Sequence, residues 1–142
     1  MEKIKVKILK GDYKIPTYAH NTDSGCDIYT NETFDLCQFE SKLVDTGIYI
    51  DIPDGYEVQL RPKSGLSVKG IICSLGTIDN GYKGEIKAHL INLSPGKYTF
   101  EKGDKIAQLV FMKGVVQAEF VEVDKLEESD RGNGGFGSTG KK

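Results

Sequence analysis

The 142-residue chain has no tryptophan, three cysteines, two histidines and no excess of either charge. Each shortage excludes something. Nineteen basic residues stand against 21 acidic ones for a net charge of −2, so there is no basic footprint for a nucleic acid duplex or a membrane surface and no acidic solvating tail. Cys26, Cys37 and Cys73 form an odd set without a C-x-x-C pair, which excludes a disulfide framework and a zinc site and points to a reducing cytosol. His20 and His89 have no partner at metal-ligand spacing and read as structural or solvated. No apolar run approaches the roughly eighteen residues of a membrane span. The alternating start MEKIKVKILK is not a signal peptide. No internal repeat occurs, and no window carries an apolar stripe of helical period between caps. The best helical candidate is a turn or two after Ser64, through GLSVKG.

What is present is alternation of period two, in IKVKIL (4–9), GIYIDI (47–52), YEVQL (56–60) and EFVEV (119–123), the mark of strands with one face buried. Turn signals separate these runs: Pro53-Asp54-Gly55, Asn80-Gly81, Ser94-Pro95-Gly96 and Lys102-Gly103-Asp104, each supplying a fixed or positive φ or a side chain that bonds its own backbone. The pattern predicts a single all-β domain, a sandwich or barrel of short strands, over residues 1–126.

From Glu127 the composition changes to EESDRGNGGFGSTGKK, too poor in apolar groups to offset its own ordering entropy. Residues 127–142 therefore read as a flexible arm that orders only on something else. A plain spacer needs no arginine, aromatic ring or neighbouring hydroxyls. Arg131, Phe136, Ser138 and Thr139 among glycines offer charge, a stacking face and small donors, the groups suited to a polyphosphate with a flat base. GFGSTGKK (135–142) almost spells a P-loop, but Lys142 stands where magnesium would need Ser or Thr.

Four more segments stand out: SGCDI (24–28), RPKSGLS (61–67), GTIDNGYKGEI (76–86) and GDKIAQLV (103–110). With RGNGGFGSTG (131–140) they resemble, in order and spacing, the five motifs of the trimeric dUTP diphosphatase (dUTPase) family, over a stretch from about Pro16 to Gly140. The resemblance implies a distorted jelly roll of the β-clip, dUTPase-like kind, assembled as a homotrimer with sites between subunits. The arm of one subunit then closes over a site built by the others. The implied reaction is hydrolysis of dUTP to dUMP and pyrophosphate with Mg2+, which limits uracil in DNA and supplies dUMP for thymidylate synthesis. The implied location is the cytoplasm, or the host cytoplasm for a phage or viral chain.

Carried over residue by residue, the resemblance makes Asp79 the general base that activates water against the α-phosphorus, a task a carboxylate suits. Tyr82 matches the aromatic that packs on the deoxyribose and crowds out a 2′-hydroxyl. The stretch from Cys73 through Gly76, Thr77 and Ile78 matches the hairpin whose backbone reads uracil, where an unpaired buried polar group costs about 1 to 3 kcal/mol. Lys63, Ser64, Gly65 and Gln108 match phosphate contacts. Phe136 matches the lid over the base, with Arg131, Gly137, Ser138 and Thr139 the clamp on the distal phosphates. Asp27 matches the carboxylate that meets the metal through water, as befits Mg2+, which dehydrates reluctantly. Asp104 reads instead as the anchor of the turn before its strand. Two positions depart from the commoner pattern: Cys73 where many members have Asn, and Lys63 where Arg is usual, which keeps the charge and loses the bidentate fork.

Two other readings are open on the same fold. One is a dCTP deaminase-like enzyme, whose relatives are longer and lack the complete arm. The other is a nucleotide-binding regulatory protein.

Overall fold

In a computed structural model describing residues 1–142, alternation becomes burial. In Tyr56–Arg61, Val58 and Leu60 point into the core while the residues between them are only partly covered. The elements in chain order are β1 Lys7–Ile8, β2 Gly25–Tyr29, β3 Phe34–Leu36, β4 Ser41–Ile48, β5 Ile50–Asp51, β6 Tyr56–Arg61, α1 Ser64–Ser67, β7 Ile71–Cys73, β8 Gly76–Ile78, β9 Ile86–Asn92, β10 Tyr98–Phe100 and β11 Lys105–Lys113. All pairing is antiparallel. A four-stranded sheet of order β2-β11-β6-β8 faces a three-stranded one of order β4-β9-β7, and β1-β5 and β3-β10 form two small ribbons.

The core between these sheets is aliphatic, with Ile28, Val44, Val58, Leu90 and Ile106 fully buried. Phe100 closes one end, stacked on Phe34 with ring centroids 5.0 Å apart. Buried polar groups are all partnered, as the cost of burying an unpaired one requires. Asn92, for example, donates from Nδ2 to the carbonyls of Leu36 at 2.7 Å and Gly96 at 2.9 Å.

The expected turns form. Gly55, Gly96 and Gly103 take φ of 81°, 113° and 95°, open only to glycine at low cost. Asp104 accepts the Glu101 amide at 2.8 Å and so anchors its turn as expected. The short helix after Ser64 is α1.

Three strand expectations need correction. In IKVKIL only Lys7–Ile8 forms a ladder, because β5, its partner, is two residues long. GIYIDI divides between β4 and β5, after a register shift between Asp45 and Ile48 where Gly47 adopts φ 75°. EFVEV at 119–123 is no strand and is exposed, since it pairs with no sheet edge of the chain. The chain leaves the body after Val115, whose amide reaches the Gly55 carbonyl. No helix is long and apolar enough to cross a membrane.

Candidate active site

The predicted site residues fall into three groups. Gly76, Thr77, Ile78, Asp79 and Tyr82 line one open pocket of about 330 Å³. One wall is β8, the edge of its sheet, so half of its backbone N–H and C=O groups have no strand partner and are free for a flat polar ligand. Cys73, at the end of β7 in the other sheet, does not line the pocket; it is buried, and burial pushes its thiol up to about 11.

Past β8 the chain turns at Asp79–Tyr82, closed by the Tyr82 amide donating to the Asp79 carbonyl at 2.9 Å. Asn80 pins this turn to the body through Nδ2, which donates to the carbonyls of Ile52 at 3.1 Å and Pro53 at 2.9 Å. The exposed Asp79 carboxylate next to it has no ion pair among those the chain forms. The Tyr82 hydroxyl donates to the Glu85 carbonyl at 2.7 Å. On the other wall, Ser74 Oγ and His89 Nδ1 share a hydrogen bond of 2.8 Å, and the Ser74 amide donates to the His89 carbonyl at 2.9 Å.

The second group gathers where β2, β11 and the start of α1 meet. Asp27 is 2% exposed, and its two oxygens are taken by Lys63 and, at 3.0 Å, by Lys105. Burial pushes the Asp27 carboxyl up, but the hydrogen bonds and charges of the two ammonium groups outweigh it and hold it below the usual carboxylate value. Gln108, register partner of Asp27, donates to the Pro62 carbonyl at 2.9 Å. Its side chain crosses Gly25, where a Cβ would lie 2.0 Å from Oε1. Ser64 and Gly65 face solvent, with nothing within 4 Å of where a Gly65 Cβ would sit.

The third group is the arm. Arg131, Phe136, Gly137, Ser138 and Thr139 are exposed, and the hydrogen bonds of 127–142 run within the arm itself, such as Arg131 Nε to the Gly134 carbonyl at 2.6 Å. None of Lys63, Ser64, Gly65, Gln108 or the arm residues lines the Asp79 pocket.

No group of three or more His, Cys, Asp or Glu forms a metal cage. Asp27, the expected metal contact, already faces two cations. This donor set fits a cation that arrives on a polyphosphate with its own waters and does not fit one held by the protein.

Three residues of the site were not singled out from the sequence. Asn80 gave only a turn signal, and its carbonyl partners lie far back in the chain. His89 carried no motif, and Lys105, inside GDKIAQLV, was assigned no role.

A family profile described as dUTPase matches residues 12–140. The chain is 47% identical over 143 residues to the deoxyuridine 5'-triphosphate nucleotidohydrolase of Finegoldia magna, covering 96% of this chain and 99% of that protein. Among solved structures, a mutant dUTPase of Staphylococcus bacteriophage 80alpha with dUpNHpp superposes with a TM-score of 0.89 at 29% identity, covering 98% of this chain and 100% of that one. A mutant dUTPase of phage phi11 of S. aureus, described with a structural Mg(II) ion, gives a TM-score of 0.80 at 27% identity over 88% of this chain and 100% of that one. With its jelly-roll-like β fold and five motifs in order, the chain belongs to the dUTPase family.

Proposed function

We propose that the protein hydrolyses dUTP to dUMP and pyrophosphate. The observation that carries this reading is the pocket that joins an open strand edge, an unpaired carboxylate at Asp79 and an aromatic at Tyr82. The uracil ring hydrogen-bonds the free backbone groups of β8, and the deoxyribose packs on Tyr82, whose ring leaves no room for a 2′-hydroxyl. Asp79 accepts a proton from water as the water oxygen bonds the α-phosphorus. The bond from that phosphorus to the bridging oxygen breaks, and pyrophosphate leaves with the electron pair. Mg2+, which a triphosphate brings with it, would neutralise phosphate charge. Ser64 and Gly65 offer a hydroxyl and an amide to the phosphates, and Gln108 supports their corner.

The separation of the three residue groups within one subunit supports a site shared between copies in a homotrimer. So does the segment beyond Val115. Val116, Phe120, Val121 and Leu126 are exposed there, and a stretch this apolar calls for a partner. Beside the point where this segment leaves the body lies an apolar groove of about 670 Å³, lined by Ile4, Val6, Ile15, Tyr18 and Phe111 together with Lys3 and Lys113, which suits the segment of a neighbouring copy bearing Glu119, Glu122 and Asp124. Residues 127–142 then form an arm that closes over a neighbouring site, with Phe136 over the base and Arg131, Gly137, Ser138 and Thr139 at the distal phosphates. Closing it excludes water and holds the phosphorus in line with the nucleophile. Three unpaired cysteines suit a cytoplasmic setting.

The test is a panel of dUTP, UTP, dTTP and dCTP with Mg2+, read by pyrophosphate release. Rapid turnover of dUTP alone is expected. Equal turnover of UTP contradicts the role of Tyr82, and ammonia from dCTP would favour the deaminase reading.

A further inference from the structure

We infer that Lys63 is a positioning residue: its ammonium stays with the buried Asp27 carboxylate and fixes the corner from which Ser64 and Gly65 meet the substrate, instead of touching a phosphate itself. The inference rests on the reading of the site as a dUTP hydrolase.

Asp27 lies on β2 with its side chain 3% exposed, and of its two cations Lys105 is the more open, at 49% against 29% for Lys63. A buried carboxylate is tolerated only while paired and hydrogen-bonded. If Lys63 swung out to a phosphate, Asp27 would be left with one half-exposed partner. The inward pose is therefore the favoured one with or without nucleotide.

The backbone of Lys63 starts the corner that its side chain anchors. Its carbonyl accepts the amides of Leu66 at 3.1 Å and Ser67 at 3.0 Å and the Ser67 hydroxyl at 3.2 Å. One residue earlier, the Pro62 carbonyl accepts Gln108 Nε2 at 2.9 Å. Two adjacent residues thus tie the entrance of α1 to a register pair of the sheet, Asp27 on β2 and Gln108 on β11. Beyond them the Ser64 carbonyl accepts the Val68 amide at 3.0 Å, while Ser64 and Gly65 are otherwise exposed and face outward. Lysine suits this task, because a flexible stem with a point charge reaches one carboxylate oxygen, whereas gripping a phosphate from two sides would favour the arginine fork.

The test compares Lys63→Met, Lys63→Arg, Asp27→Asn and the double variant Asp27→Asn/Lys63→Met in the full chain. Hydrogen exchange is read at the amides of Leu66, Ser67 and Val68, and kcat and KM are read for dUTP. Faster exchange at these amides is expected in Lys63→Met and in Asp27→Asn, with protection restored in Lys63→Arg. In turnover, each single variant should lose kcat by about tenfold to a hundredfold with little change in KM, as misplacement of reacting groups does. The double variant should be no worse than the weaker single one. Unchanged exchange in Lys63→Met overturns the inference. So does a rise in KM at constant kcat with Asp27→Asn neutral, the signature of a phosphate ligand. If the parent enzyme releases no pyrophosphate from dUTP, the proposed function fails, while the exchange data still decide whether Lys63 anchors the corner.

Discussion

Tyr82 lies back across Gly84 so closely that a Cβ there would sit 2.5 Å from the phenol oxygen and 2.6 Å from Cζ. The phenol's hydrogen bond to the Glu85 carbonyl holds the ring in that pose. The missing side chain at Gly84 thus leaves room for the ring that the proposed function sets against the sugar. Gly84→Ala should push the ring off its seat and lower the preference for dUTP over UTP, measured as the ratio of kcat/KM values, by about tenfold. An unchanged ratio would mean that the ring's pose does not set sugar selection.

Asn80 ties the Asp79 turn to the carbonyls of Ile52 and Pro53. Asn80→Ala removes both hydrogen bonds and should cost about 1 kcal/mol of stability, seen in thermal unfolding. It should also lower kcat more than it alters KM, because it releases the turn that aims the carboxylate. Asn80→Asp, which cannot donate to either carbonyl, should not rescue it.

Burial keeps the Cys73 thiol neutral, with its pKa raised from 9.0 to about 11. The folded state therefore holds the proton more tightly than the unfolded one. The stability this contributes is complete below about pH 9 and is lost as pH rises toward 11. The melting-temperature gap between wild type and Cys73→Ala should narrow across that interval. At pH 8 a thiol reagent should modify the exposed Cys37 and spare buried Cys26 and Cys73 until the protein unfolds.

Truncation after Asp130 should leave the fold and its assembly intact, because the hydrogen bonds of residues 127–142 stay within the arm. Turnover of dUTP should fall sharply, as measured by pyrophosphate release beside a sedimentation run. Full activity in the truncated protein would reduce the arm to a spacer.

Much of this was legible in the sequence where the signal is local. The turn glycines, the Asp104 anchor, the short helix after Ser64 and the grouping of Gly76 to Tyr82 each depend on neighbours in the chain. What was not legible depends on partners far away. EFVEV has the period of a strand, but a strand exists only beside an edge, and it pairs with none in the chain. Lys63 and Asp27 read as a phosphate contact and a metal contact from their motifs. That they meet each other follows from the β2-β11-β6 pairing, which no local pattern reveals. Asn80 read as half of a turn, and its side-chain bonds depend on where the loop after β5 lies.

The most direct measurement is pyrophosphate release from dUTP by wild type and Asp79→Asn, with sedimentation confirming that both assemble alike. Asp79→Asn keeps the shape of the turn and removes the proton acceptor, so its turnover should fall by about a hundredfold to ten-thousandfold. A variant that turns over dUTP within about twofold of wild type would contradict the assignment of Asp79 as the base.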